Sequence, residues 1–223
     1  MRKTLGIGCI VLGLLCLIGS VGFVLYNRWE AQTAAESSSS LLADAQQIIA
    51  QQRQQIHSTP VPEATQPQPE QSQPAEEEPA LSPAIPAAKL DGYDCLGVLT
   101  IPVLELELPV LADWTYEKLR KAPCQYYGNC YDGDFVIAGH NYASHFGKLS
   151  SLRAGDLIVF TDIGGNLHCY EVALLETLPP TATEEMITSG FDLSLYTCTP
   201  GGSYRVTVRC RKTDANSILL THN

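Results

Sequence analysis

With 223 residues, a net charge of −10 and 17% charged side chains, the chain is long enough for one ordinary domain plus appendages. The acidic balance excludes a nucleic-acid partner, which would call for a basic stripe. The eight cysteines include no Cys-x-x-Cys pair, which argues against a structural zinc site, and no lysine-terminated glycine loop is present to cradle a phosphate.

The basic start Met1-Arg2-Lys3 is followed by Thr4 to Asn27 without a charge. Within it, Ile7 to Tyr26 has the roughly 20 apolar residues that a bilayer crossing needs. Five glycines interrupt Thr4 to Asn27, which membrane helices tolerate. The run exceeds the roughly 7–15 residues of a cleavable signal peptide core. Residues 1–28 are therefore read as a retained single-pass membrane anchor, with a cleavage site open at Ala31 to Ala35 as the alternative. Arg2 and Lys3 favour a cytoplasmic N-terminus, which places everything beyond Arg28 outside the cytoplasm.

Residues 29–90 read as a spacer. Leu41 to Ile56 is rich in Ala, Gln and Leu and predicts a short juxtamembrane helix on a stalk. Thr59 to Pro86 is dominated by Pro, Gln, Glu, Ala and Ser, too poor in apolar bulk to pack, and predicts a disordered tether. Residues 91–214 form the one compact domain, and 215–223 a C-terminal tail. Strand-like runs recur at Leu96–Val103, Glu105–Leu111, Asp134–Ala138, Asp156–Thr161, Leu167–Leu178, Phe191–Cys198 and Tyr204–Arg211. Glycine, proline and asparagine punctuate them, with a hairpin signal at Thr161 to Asn166. Short helices are expected at Thr115–Lys121, Phe146–Leu152 and Thr183–Thr188. The pattern predicts a mostly β domain, a largely antiparallel sandwich or closed barrel.

Chemistry concentrates where three of these runs end. In Leu193 to Cys198, alternation puts Ser194, Tyr196 and Cys198 on one side. In Tyr204 to Cys210 the apolar set Tyr204, Val206, Val208 and Cys210 leaves Arg205, Thr207 and Arg209 on the other. The intervening Thr199-Pro-Gly-Gly-Ser203 is rich in turn formers, so the two runs predict an antiparallel hairpin. In that register Cys198 faces Arg205, with Cβ atoms about 4.5–5.5 Å apart, and Arg209 faces Ser194 about 13 Å away. Upstream, Ala138-Gly139-His140-Asn141 supplies a histidine at a strand end. A nucleophile, a proton carrier and a fixed cation are the parts of covalent acyl transfer.

Gly97-Val-Leu-Thr-Ile-Pro102, Leu108-Pro-Val110, Ala138-Gly-His140-Asn141, His145-Phe-Gly-Lys-Leu149, Leu152-Arg-Ala-Gly-Asp156, Leu195-Tyr-Thr-Cys198 and Arg205-Val-Thr-Val208 resemble, in the same order, the signatures of sortases. These are the membrane-anchored cysteine transpeptidases of Gram-positive bacteria. The resemblance implies a closed eight-stranded β-barrel with a few short helices, behind the membrane helix and the linker. It implies Cys198 as nucleophile, His140 as proton donor and acceptor, Arg205 as stabiliser of the oxyanion, and Thr197 in the substrate groove; Asn141 and Tyr196, beside the histidine and the cysteine in sequence, are further candidates for contacting the substrate. The implied reaction cleaves an LPXTG-like sorting signal through a cysteine thioester. The protein is then passed to an amine of a cell-wall precursor or a pilin, with no cofactor or metal. The short Pro179 to Gly190 connection lacks the long helix of class B, and no Asp-Pro-aromatic lid of class C precedes Leu96, which points to a class D or unassigned housekeeping-like member.

Two other functions stay open. One is a membrane-tethered binding module that keeps the fold without turnover. The other is an L,D-transpeptidase of cell-wall crosslinking, whose Ser-His-Gly before the cysteine is not matched by Tyr196-Thr-Cys198-Thr-Pro200. Cys9 and Cys16 read as small apolar residues of the anchor, and Cys169 and Cys210 as core. Cys124 and Cys130 fit either a small disulfide or two free thiols. His145 is the rival to His140 as acid or base, read as ordering the following loop; His57, His168 and His222 carry no assigned role.

Overall fold

The computed structural model describes residues 2–58 and 84–214. The proline-rich stretch 59–83 and the tail 215–223 lie outside the described residues together with the expectations made for them, as do His222 and the side chain of His57.

Nine strands form the domain: β1 (Ala88–Leu90), β2 (Tyr93–Ile101), β3 (Leu106–Leu111), β4 (Cys124–Asn129), β5 (Gly133–Ala138), β6 (Leu157–Asp162), β7 (Leu167–Leu178), β8 (Leu193–Cys198) and β9 (Arg205–Lys212). Their order is β1-β2-β3-β4-β5-β8-β9-β7-β6, and β6 pairs back onto β2. Strands β2 to β9 thus close an eight-stranded ring, and β1 extends β2 as a short hairpin arm. Closure leaves none of the eight ring strands with an unpaired edge along its full length. Neighbours run antiparallel except β3–β4 and β5–β8, which are parallel.

The ring is filled from alternate positions. Leu99, Ile101, Val110, Phe135, Ile137, Phe160, Tyr170, Leu193, Leu195 and Val208 form one buried cluster, with Phe135 and Phe160 edge to face at 5.2 Å. Burial of each large apolar side chain is worth about 1.5–3 kcal/mol. The β2–β6 seam depends on Gly97. A Cβ there would run into the Thr161 carbonyl oxygen and lie 2.8 Å from Asp162 Cα, and backbone on that side cannot swing away. Gly97→Ala is expected to cost about 1–3 kcal/mol or more through overpacking, read as a fall in thermal midpoint; an unchanged midpoint would contradict this close approach. The β6–β7 turn is pinned by the buried Asp162 carboxylate. It accepts from the Asn166 backbone at 2.9 Å and from the Tyr131 hydroxyl at 2.6 Å.

Helices are few. α2 (Tyr116–Leu119) and α3 (Thr183–Ile187) are single turns, and Leu149–Ser151 makes a 3-10 turn where a longer helix from Phe146 is expected. The β7–β8 connection holds only α3. The first helix, α1, runs unbroken from Arg2 to Ser58. Its N-terminal part is long and apolar enough to cross a membrane, with mean hydropathy 2.2 and no burial against the protein. Farther along, Ala34, Ser38, Leu41, Ala45 and Ile49 are all buried. Their three- and four-residue spacing makes one stripe. Leu41, Ala45 and Ile49 join Leu90, Val98 and Leu111 in a second cluster outside the ring. The segment expected as a helix on a stalk is therefore docked on the barrel, because β2 and β3 offer its stripe an apolar face.

Candidate active site

β5 and β8 are parallel neighbours with Ala138 opposite Tyr196, and the Gly139 amide donates to the Tyr196 carbonyl at 3.0 Å. Two residues further on, β8 ends in Cys198 and the β5 strand line reaches His140, so adjacent strand ends deliver both residues to one edge of the ring. Adjacent strands lie about 4.8 Å apart. β8 and β9 then pair antiparallel with Cys198 opposite Arg205 and Ser194 opposite Arg209. The loop between them is closed by Thr199 and Tyr204: the Thr199 amide donates to the Tyr204 carbonyl at 2.9 Å. Gly201 and Gly202 take positive φ of 86° and 77°, conformations that cost other residues strain.

His140, Cys198, Arg205 and Tyr196 line one cavity of about 180 Å³. One wall is aromatic: Trp114 meets Tyr116 and Tyr126 at 5.7 and 5.6 Å, and Tyr126 meets Tyr196 at 5.4 Å. Pro179, Pro180, Ala182 and Met186 also line the cavity. This wall was not anticipated; its signal was the Trp114-Thr-Tyr116 pair just before α2. Thr197 points the other way from Cys198 along β8 and is buried, and Asn141 is half-buried beside His140. Neither is among the residues that line the cavity.

The electrostatics separate the two histidines. Burial pulls His140 below its ordinary value, with Glu30 of α1 working in the opposite direction and Arg120 adding to the fall. His145 is fully buried and is lowered to about 4, first by burial and then by His140. A neutral, enclosed His145 is poorly suited to carry protons to a substrate. The His140 Nε2 is buried and has no hydrogen-bond partner among the described residues, so it is uncommitted within the fold. The Arg205 Nη1 donates to the carbonyls of Gly202 at 3.0 Å and Tyr204 at 3.2 Å. Both bonds use one nitrogen, and among the described residues Nε and Nη2 have no partner, which leaves them for a bound oxygen.

Arg209 behaves differently. It is 2% exposed although it lies on the outward side of β9, because α3 covers it. Its Nε donates to Glu176 at 2.7 Å, Nη1 to the Ser194 hydroxyl at 2.8 Å, and Nη2 to the Glu185 carbonyl at 2.8 Å. Cys124 and Cys130 are free thiols in separate clusters, not a disulfide. Among the described residues no cluster of three or more His, Cys, Asp or Glu side chains is placed to hold a metal ion.

A ring of strands that brings a half-exposed cysteine, a histidine and an arginine to one cleft is equipped for thiol-based acyl transfer. The family follows from comparison: the Sortase domain model matches residues 99–213, and the chain belongs to the sortase family, whose members are cysteine transpeptidases. Over 117 residues the chain is 32% identical to sortase A of Bacillus anthracis, covering 50% of this chain and 55% of that protein. The chain thus spans little more than half the length of that relative. Among solved structures, sortase C1 of Streptococcus agalactiae superposes with a TM-score of 0.50 at 23% identity, over 56% of this chain and 70% of that one. This likeness bears on the fold. A sortase A lid mutant from Corynebacterium diphtheriae aligns at 25% identity and TM-score 0.49, over 56% and 74% of the two chains.

Proposed function

We propose that this protein is a membrane-tethered cysteine transpeptidase that cuts an LPXTG-like sorting signal and passes the protein to an amine. The observation that carries the reading is the shared cleft in which Cys198 stands opposite Arg205 and beside the end of the His140 strand. A resting His140 held below its ordinary value is mainly neutral at pH 7 and takes the Cys198 proton. The Sγ then attacks the carbonyl carbon before the glycine, and a new C–S bond forms. Arg205 faces the resulting oxyanion with a charge that no relevant pH removes. When the C–N bond breaks, the imidazolium returns its proton to the leaving amine. An incoming amine attacks the thioester and gives a proton to His140, and the expelled Cys198 sulfur takes that proton back, which restores the neutral histidine and the thiol.

In this reading α1 is a single-pass anchor with the barrel outside the cytoplasm. The substrates are sorting-signal-bearing surface proteins, and the acceptor is a peptidoglycan precursor or pilin amine. The aromatic wall and Tyr196 shape the peptide groove. The single short α3 between β7 and β8 supports a class D-like or housekeeping-like assignment over class B.

Intact-mass spectrometry of the detergent-solubilised chain with a panel of Leu-Pro-X-Thr-Gly-like peptides tests the reading. An acyl adduct on Cys198 that disappears on adding an amine is the expected result. A native Cys198 that is alkylated readily but never acylated by any peptide would refute the substrate class. A Cys198 that neither acylates nor alkylates would favour a binding module with a closed groove.

A further inference from the structure

We propose that residues 114–121, which carry α2, are a second membrane contact: they rest on the headgroup layer of an anionic bilayer and hold the cleft end of the barrel at its surface. This inference rests on reading α1 as a single-pass anchor.

The docked helix sets the level of the barrel. The apolar run of α1 ends at Tyr26, and Tyr26 and Trp29 are 56% and 65% exposed with rings 6.2 Å apart. Tyrosine and tryptophan are the residues that gather at a membrane–water boundary. Glu30, one residue further, pairs with the Arg120 Nε at 3.7 Å. Arg120 follows Leu119, which lines the same cavity as His140 and Cys198. Later residues of α1 meet other parts of the barrel. Gln46 donates to Glu107 at 2.7 Å, and a Cβ on Gly165, in the β6–β7 turn, would lie 3.2 Å from Arg53 Cγ. At about 1.5 Å per residue, Gln46 and Arg53 stand about 24 and about 35 Å beyond Glu30 along the axis. The helix therefore leaves the bilayer with the cleft end of the barrel nearest to it and the β6–β7 turn farthest away.

The segment at that level has interfacial chemistry. Its eight residues include three bases, Lys118, Arg120 and Lys121, and one acid, Glu117, in a chain whose net charge is −10. Trp114 and Tyr116 pack edge to face at 5.7 Å yet stay 39% and 74% exposed, so both have surface beyond the cleft wall. Leu119 is buried and holds the turn to the barrel. Lys118 donates to the Ala112 carbonyl at 2.8 Å and Lys121 lies 5.6 Å over the Tyr93 ring, which fixes where both charges stand. The Arg120 side chain is 66% exposed. Rings with a polar tip and cations on long apolar stems are the side chains that headgroups accept. An anionic surface also draws a basic segment of an otherwise acidic protein toward itself. With the span on one side and this segment on the other, the barrel does not tilt away, and the cleft stays at lipid level.

The chain has two tryptophans, Trp29 and Trp114, so each can report alone. The full chain is reconstituted in vesicles of phosphatidylcholine, with or without phosphatidylglycerol, that carry a headgroup-spin-labelled lipid as quencher. Trp29→Phe leaves Trp114 as reporter and Trp114→Phe leaves Trp29, with thermal midpoints showing that each variant is folded. Both tryptophans are expected to be quenched in the anionic vesicles. On the Trp29→Phe background, Arg120→Gln with Lys121→Gln is expected to lower the on-to-off ratio of Trp114 at the surface by about fivefold per charge, and added salt should act in the same direction. A quenched Trp29 with an unquenched Trp114 would overturn the proposal while leaving the anchor intact. An unquenched Trp29 would sink the anchor reading itself, and this proposal with it. Quenching of Trp114 that is equal in both vesicles and indifferent to the double substitution would refute an anionic surface as the partner.

Discussion

Cys198→Ala is expected to yield a folded protein that forms no acyl adduct and loses turnover by a factor on the order of 10⁶, the scale seen when a covalent nucleophile is removed. The substitution deletes one sulfur from a half-exposed strand end, so neither the core nor the β8–β9 ladder changes, and the thermal midpoint should stay close to that of the parent. The other described thiols of the barrel, Cys169 among them, are buried and poorly placed to substitute. Cys95, Cys124 and Cys130 are buried, and desolvation pushes them up to about 11, about 12 and about 12. Cys210 is raised further for the same reason. A buried thiol pushed up in this way yields little thiolate, and the thiolate is the nucleophile. Cys16 is exposed, but on the apolar part of α1, away from the cleft. Brief alkylation of the native protein should therefore label Cys198 among the barrel cysteines. Retention of adduct formation by the alanine variant would show that another thiol carries the chemistry.

What could be read from the sequence follows the physics of alternation. The β8–β9 register was legible because both strands alternate cleanly and the loop between them is made of turn formers. The hairpin at Thr161 to Asn166 was legible through its glycines and asparagine. β4 was not: Cys124-Gln-Tyr-Tyr-Gly-Asn129 has no period of two, and its pairing with β5 carries two register irregularities. β1, with three residues, offers too little pattern to see. The outward side of β8 and β9 was misleading in a more general way. Ser194, Thr207 and Arg209 are polar, and all are buried, because α3 and its flanking loops close over a face that alternation alone assigns to solvent. The stripe on α1 can be counted from the sequence, yet nothing there says that β2 and β3 receive it.

The two arginines of β9 should separate chemistry from architecture. Arg205→Ala is expected to slow acylation by roughly 100- to 1000-fold, the usual cost of one oxyanion donor, with little change in stability. Among the described residues its guanidinium is tied to two loop carbonyls, which face solvent once released. Arg209→Ala is expected to do the opposite. Removing it strands the buried Ser194 hydroxyl and the carbonyls of Glu185 and Met186, and frees Glu176 from a 2.7 Å pair. Bonds from a charged donor are worth about 1.5–3 kcal/mol each, and leaving buried partners unsatisfied carries a similar penalty. Glu176 is about a third exposed and can rehydrate, which limits the total to about 3 kcal/mol. For a domain of this size that is a fall of roughly 10 °C in thermal midpoint. Below that midpoint the folded fraction should keep most of its acylation rate, because Arg209 pairs with Ser194, four residues before the nucleophile. Denaturation curves together with single-turnover acylation of each variant settle the matter. Equal loss of acylation in two well-folded variants would mean that the oxyanion is not held by Arg205 alone, and that the cleft extends along β9 beneath α3.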